Sequence, residues 1–245
     1  MKIPEISIKA EPIFHLFGFT VTNSLLSTWI VLILFVGIAL YYYHQSQQKK
    51  RSLVFYLLNT VFKAVYSLLS SITKDKADVF FPILGSFFFF IILLNWFGLL
   101  PGVGTVLVSG AEEGGKMIPL LRGGNADLNT TVMLGALSIV VSQYYGFRYL
   151  GWDHVKKYLN FTNPIAFYVG ILEIVSEFSR VASFSFRLFG NIFAGEVLLV
   201  VIASLVPILV SFPFLMMEIF VGFIQALVFA LLSAVIFSMN TQKHH

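Results

Sequence analysis

The sequence is too apolar and too weakly charged for a soluble globular domain. Its 245 residues are 58% hydrophobic and only 11% charged, whereas soluble domains are roughly 45–50% apolar and about 25% charged. We therefore predict an all-α polytopic membrane protein that forms a single membrane domain over residues 1–245. The net charge of +4 is too small to indicate a nucleic-acid partner. Because the chain contains no cysteine, a disulfide framework, a thiolate nucleophile and a cysteine metal site are excluded.

The N-terminal part of the chain predicts an arm followed by a spanning helix. Residues 1–22 are polar, contain proline and lack the pattern of a cleavable signal, so we expect an arm outside the membrane. Residues 23–43 are apolar and match the roughly 20 residues that cross a bilayer. Lys49, Lys50 and Arg51 follow at once. The positive-inside rule therefore predicts a cytoplasmic end there and an outside N-terminus.

Residues 52–74 predict an amphipathic interfacial helix on the cytoplasmic membrane surface. Apolar residues recur there at steps of three and four, while Thr60, Lys63 and Ser67 occupy the other side. The alternative is a further spanning helix that carries some polar residues. Basic residues on both flanks favour the interfacial helix.

Two further spanning helices are predicted at residues 79–100 and 127–149, joined by a glycine-rich loop. The loop has nearly balanced charges, so we expect it outside the membrane. Asn95 near the outer end of the first helix is either an interfacial hydrogen-bonding residue or part of an ion entry route. Asp127 is predicted to cap the second helix.

Residues 150–163 are basic and aromatic and are predicted to form a loop. His154 within it is expected to be exposed at the membrane interface, because a zinc site would need partners that are not nearby in sequence. The chain ends in a polar, basic segment that we expect in the cytoplasm.

The C-terminal part predicts a long tilted helical hairpin. Residues 164–206 and 211–240 are two apolar stretches separated by a break that contains two prolines. A helix of about 40 residues would be about 60 Å long, but the hydrocarbon core is only about 30 Å thick. The first stretch must therefore tilt strongly, or break near Gly190 or Gly195.

Ionisable and polar side chains mark one face of the first hairpin helix. Members of this set are spaced by three or four residues: Glu173, Glu177, Arg180, Ser183, Arg187 and Asn191. Arg187 lies in an apolar run, where a charged side chain costs on the order of 2.5–3.5 kcal/mol. Glu196 follows nine residues later, about 900° around the helix, and points to roughly the opposite side. In the second stretch, Glu218 and Gln225 share a face.

An arginine in such a segment acts as a fixed positive charge, since its pKa exceeds about 12. It promotes proton release from any carboxylate within about 4–6 Å and blocks the leak of a bare cation. Glu196 and Glu218 are carboxylates that exchange protons where water reaches them. The pattern favours proton translocation along two half-paths separated by Arg187, whose partner is Glu173 or Glu177, or lies on another subunit. The alternative is that the polar residues only join helices.

The stretch FRLFGNIFAGE, with LLNWFGLLPG, ADLNTT and NPIAFYVGILEIVSEFSR elsewhere in the chain, resembles subunit a of the F-type ATP synthase membrane sector. The likeness covers nearly the whole chain from about residue 23. It implies a non-catalytic stator subunit that couples proton flow to rotation of the c-subunit ring and to ATP synthesis. Arg187 matches the essential arginine of the family, which faces the ring and separates two aqueous half-channels.

The resemblance also implies roles for other residues. Asn191 matches the asparagine beside the essential arginine, and Gln225 matches the polar residue of the last helix that neighbours it. Glu196 and Glu218 match positions of the outer half-channel, where the family often has a histidine and an acid. Glu173 matches an acid of the inner half-channel.

The partners implied by the resemblance are the c-subunit ring, the b subunits of the peripheral stalk, other ATP synthase subunits and the lipid membrane. No cofactor or metal site is expected. The implied location is a bacterial inner membrane, or alternatively an organellar inner or thylakoid membrane, and the coupling ion is H⁺ or Na⁺. Two other functional classes fit the sequence less well. A self-contained secondary transporter often contains an internal repeat, and none is visible; an intramembrane enzyme would need a motif such as HExxH or GxSxG, which the sequence lacks.

Overall fold

The computed structural model describes residues 9–16, 19–110, 117–158, 163–205 and 211–242. This part of the chain forms seven α-helices, with four short β-strands and two 3₁₀ turns between them. The helices are α1 (Asn23–Ser46), α2 (Leu53–Thr73), α3 (Ala77–Gly98), α4 (Leu128–Leu150), α5 (Trp152–Tyr158), α6 (Pro164–Leu205) and α7 (Ser211–Asn240).

Four segments in the described ranges are long and apolar enough to cross a membrane. Three of them are α1, α6 and α7. The fourth is the segment Leu53–Gly98, which contains both α2 and α3. This confirms the predicted class, an all-α polytopic membrane protein. Helix α4 is of similar length to α1 but is less apolar and is not among the four segments. That residues 127–149 span the membrane therefore stays a prediction.

Helix α2 buries only one edge of its apolar face. Val65 and Leu69 belong to the protein core, whereas Leu57, Val61 and Leu68 are apolar and exposed. An exposed apolar strip beside a buried one suits a helix that contacts both protein and lipid. Its position at the membrane surface stays a prediction.

Two segments that the sequence predicts as irregular contain short antiparallel β-hairpins. Strands β1 (Pro12–Leu16) and β2 (Phe19–Thr22) pair within the N-terminal arm, and β3 (Leu107–Ser109) pairs with β4 (Met117–Pro119) in the glycine-rich loop. Asn23 joins the two, because its Nδ2 donates to the Pro119 carbonyl at 3.3 Å and its Oδ1 accepts from the backbone of Glu11 at 3.3 Å. Strands this short carry too little alternation to be recognised in a sequence.

Helix α6 is continuous over 42 residues, which corresponds to a length of about 63 Å. Gly190 and Gly195 lie inside it, so the expected alternative of a break near either glycine is wrong. Strong tilt in the membrane remains the prediction. Pro213 lies in the first turn of α7 rather than in a break, at a place where proline costs no helical hydrogen bond. The other proline of the predicted break lies outside the described residues.

An aromatic core lies between α3 and α7, with Phe80, Phe88 and Phe237 fully buried. Helix α4 packs closely against α6 through small residues. An ideal Cβ at Gly135 would lie only 2.8 Å from the Ser185 hydroxyl of α6.

The bundle has two polar ends. At the loop end, next to residues 117–127, Trp96 Nε1 of α3 donates to the Ile219 carbonyl of α7 at 3.1 Å. At the α5 end, Lys76 Nζ donates to the Thr241 carbonyl at 2.6 Å. Helices α3 and α7 are therefore antiparallel.

Candidate functional site

Arg187 lies on an exposed face of α6. Its Nη2 donates to the Ser183 hydroxyl at 3.3 Å, one helical turn earlier. Gln225 of α7 lines the same small pocket as Arg187, so the two residues that the sequence assigns to neighbouring positions are brought together. Arg187 forms no ion pair with a carboxylate within the described ranges, where the ion pairs involve other basic residues.

One of the two carboxylates predicted as an internal partner of Arg187 is Glu177, and it pairs with another arginine. Glu177 accepts from Arg180 Nη1 at 2.7 Å and from the Tyr158 hydroxyl at 3.4 Å. Glu177 is only 8% exposed, whereas Arg187 is exposed. The expected single polar face is therefore divided, with Glu177 turned towards α5 and Arg187 turned out of the bundle. A drift of the helical phase over ten residues accounts for this division.

Polar side chains of three helices meet at the α5 end. Gln143 Oε1 of α4 accepts from His154 Nε2 at 2.7 Å and from the Tyr158 hydroxyl at 3.1 Å. His154 is buried, so its predicted exposure at the interface is wrong. The reason is Gly146, where an ideal Cβ would lie 2.5 Å from His154 Cε1. The missing side chain admits the imidazole.

Two carboxylates act on Tyr158 at the α5 end. Burial raises the pKa of Tyr158 to about 12, and the charges of Glu177 and Glu173 contribute in the same direction. Glu173 is half-buried and lies close enough to act on the Tyr158 phenol.

A cavity of 320 Å³ lies at the loop end, and both Glu196 of α6 and Glu218 of α7 line it. Glu218 is 5% exposed, and an ideal Cβ at Gly195 would overlap its carboxylate. Asn95 forms part of the wall, donating to the Gly222 carbonyl at 2.8 Å and accepting from Asn125 Nδ2 at 2.7 Å. Asn95 is therefore a buried hydrogen-bonding residue in the wall of this cavity.

Arg122 is the cavity residue that sequence reasoning missed. Its Nε and Nη2 both donate to Glu196 Oε2, at 3.3 and 3.2 Å, and its side chain is only 5% exposed. The two residues are 74 positions apart. A lone arginine in a glycine-rich loop of balanced charge gives no signal of such a pairing.

The polar residues of α6 thus fall into two groups on either side of Arg187. Glu173 precedes it by 14 residues, about 21 Å along the helix, and Glu196 follows by nine, about 14 Å. Asn191 is half-buried and lies one turn after Arg187 on the Glu196 side. An exposed arginine stands between two separate polar regions, each with its own carboxylates.

Similarity to known proteins extends over nearly all of the chain. Residues 25–238 match the family model described as ATP synthase A chain. The chain is also 34% identical over 217 residues to "ATP synthase subunit a" of Gloeobacter violaceus, an alignment that covers 86% of this chain and 80% of that protein. This membrane protein therefore belongs to the ATP synthase A chain family.

Proposed function

We propose that this chain is the proton-translocating stator subunit in the membrane sector of a rotary ATP synthase. It is a non-catalytic subunit, and its task is to move protons between the two sides of the membrane by way of a ring of c subunits. Family membership supports the role in proton transport. The local arrangement around Arg187 supports the finer mechanism.

The observation that carries the mechanism is an exposed arginine without a carboxylate partner in the described part of its own chain. Arg187 lies on a helix that is apolar enough to span a bilayer, where an unpaired charge is costly. A carboxylate presented by another subunit would remove this cost. A ring whose membrane carboxylates pass Arg187 in turn would supply such partners one after another, and each would release its proton beside the guanidinium.

Two half-channels follow from the two polar regions of α6. The outer half-channel is the cavity at the loop end, which Glu196 and Glu218 line. The inner half-channel begins at the α5 end, beside Glu173. Arg187 keeps the two apart, with Asn191 and Gln225 as its polar neighbours, so a proton must travel on the ring to pass from one to the other.

The proposed setting is a bacterial inner membrane, with the c-subunit ring and the b subunits of the peripheral stalk as partners. The predicted spanning helices at 23–43, 79–100 and 127–149, the interfacial helix at 52–74 and the tilted hairpin belong to the same proposal. The ring then packs against the exposed face of α6 that carries Arg187.

The test replaces Arg187 with glutamine in the intact ATP synthase, reconstituted in sealed vesicles. We expect Arg187→Gln to assemble but to lose both ATP-driven proton pumping and ATP synthesis. Glutamine is neutral, so it cannot drive proton release from a carboxylate of the ring. Arg148→Gln is the matched control, since Arg148 is an exposed arginine near the end of α4, and it should retain both activities. Normal ATP synthesis by Arg187→Gln would contradict the proposed function.

A further inference from the structure

We propose that Arg122 is a positioning residue that anchors Glu196 at the wall of the outer cavity, which leaves Glu218 as the carboxylate that carries protons through it. This inference rests on the proposed function, because it divides two roles within the proposed outer half-channel.

Arg122 is held from several directions. Its backbone N–H donates to the Ser27 hydroxyl of α1 at 3.1 Å, and its Nη1 donates to the Lys9 carbonyl of the N-terminal arm at 3.4 Å. The guanidinium carbon lies 5.9 Å from the ring centroid of Phe193 on α6, within the range of a cation–π contact. The side chain therefore has little freedom to follow a moving proton carrier.

The loop that carries Arg122 packs closely against α1 and α3. An ideal Cβ at Gly124 would lie 2.7 Å from both Leu94 Cδ2 and Thr28 Oγ1. A Cβ at Gly98 of α3 would lie 3.1 Å from Gly123 Cα. The backbone after Arg122 is thus wedged between α1 and α3, and this fixes the point from which the guanidinium reaches Glu196.

Two nitrogens of Arg122 donate to a single carboxylate oxygen of Glu196, and both hydrogen bonds are charge-assisted. A carboxylate in this position compensates a nearly buried guanidinium. Removing either partner alone leaves the other charge in the cavity wall without compensation. In particular, Glu196→Gln leaves an uncompensated positive charge on Arg122 beside the proposed path, and that charge repels an incoming proton.

Glu218 differs from Glu196 in its ion pairing and in its burial. It forms no ion pair within the described ranges, and its carboxylate rests on the bare backbone of Gly195. It is buried, whereas Glu196 is only half-buried. A carboxylate that faces the cavity without a fixed cation partner can gain and lose a proton without breaking a structural contact.

The test compares single and double variants in the intact complex, with passive proton uptake into vesicles through the membrane sector as the readout. Arg122→Gln and Glu196→Gln should each slow uptake roughly tenfold, and the double variant should recover to within about threefold of wild type, because the two residues act on each other. Glu218→Gln should abolish uptake in both the wild-type and the double-variant background.

A double variant that is as slow as Glu196→Gln alone would overturn the inference, since Glu196 would then carry protons itself. Rapid uptake by Glu218→Gln would overturn it as well. If Arg122→Gln fails to assemble, the amount of assembled double variant decides the question: recovery of assembly supports the pairing, and continued failure contradicts it. Loss of uptake in Arg187→Gln, measured in the same preparation, tests the proposed function separately.

Discussion

The carboxylate of Glu218 on α7 occupies the space that a side chain at residue 195 of α6 would fill. An ideal Cβ at Gly195 would overlap both carboxylate oxygens and the carbon between them. The two long helices therefore meet where one of them has no side chain. This contact brings Glu218 into the same cavity as Glu196, the residue that follows Gly195.

Replacing Gly195 with alanine should displace the Glu218 carboxylate. We expect Gly195→Ala to destabilise the protein by about 1–3 kcal/mol, as overpacking does, and to slow proton uptake. Adding Glu218→Ala should restore the stability but not the uptake, because the clash is removed together with the carboxylate. Thermal unfolding of the purified complex and proton uptake into vesicles measure the two effects.

Gly37 of α1 provides the control for this substitution. Nothing lies within 4 Å of an ideal Cβ at Gly37, and alanine is preferred to glycine inside a helix by roughly 0.5–1 kcal/mol. Gly37→Ala should therefore leave uptake unchanged and stability equal or higher. Native stability and uptake in Gly195→Ala would show that the contact between Gly195 and Glu218 is not tight.

Two adjacent glycines of the outer loop should respond differently to the same substitution. Gly124→Ala would place a Cβ 2.7 Å from Leu94 and Thr28, whereas a Cβ at Gly123 would come no closer than 3.6 Å to its neighbours. We expect Gly124→Ala to lower the free energy of unfolding by about 1–3 kcal/mol, and to slow proton uptake by shifting Arg122. Gly123→Ala should be much closer to wild type in both measurements, and equal effects of the two would contradict the predicted wedge.

Tyr158 should make the protein less stable at alkaline pH. Burial raises the pKa of Tyr158 to about 12, from 10.0 in an unstructured chain. The folded state thus holds the phenolic proton more tightly than the unfolded state, so stability falls as the pH rises from about 10 to about 12. Tyr158→Phe should weaken this decline, which the melting temperature measured from pH 9 to pH 11.5 would reveal.

The control for this experiment is Tyr43→Phe at the end of α1. Tyr43 is 65% exposed, so its replacement should leave the alkaline decline as it is in the wild type. An identical decline in Tyr158→Phe and Tyr43→Phe would mean that the phenol of Tyr158 is not the group responsible.

The sequence by itself determined the class of protein and most of its helices, because both depend on local properties. An apolar run of membrane length predicts a helix wherever it occurs, and the helical period alone separates Arg187 from Glu196 on α6. The motif around Arg187 was sufficient to recognise the family. The short strands and α5 were missed, since segments of three to seven residues contain too few periods to be recognised.

The tertiary structure decided which distant residues meet. Arg122 and Glu196 are 74 residues apart, and their pairing depends on how the outer loop is wedged between α1 and α3. His154 is buried because Gly146 of the preceding helix leaves room for it, and Glu218 enters the cavity because Gly195 has no side chain. Composition and periodicity act along the chain, whereas these contacts arise from close packing between helices, where one absent methyl group determines which polar side chain fits.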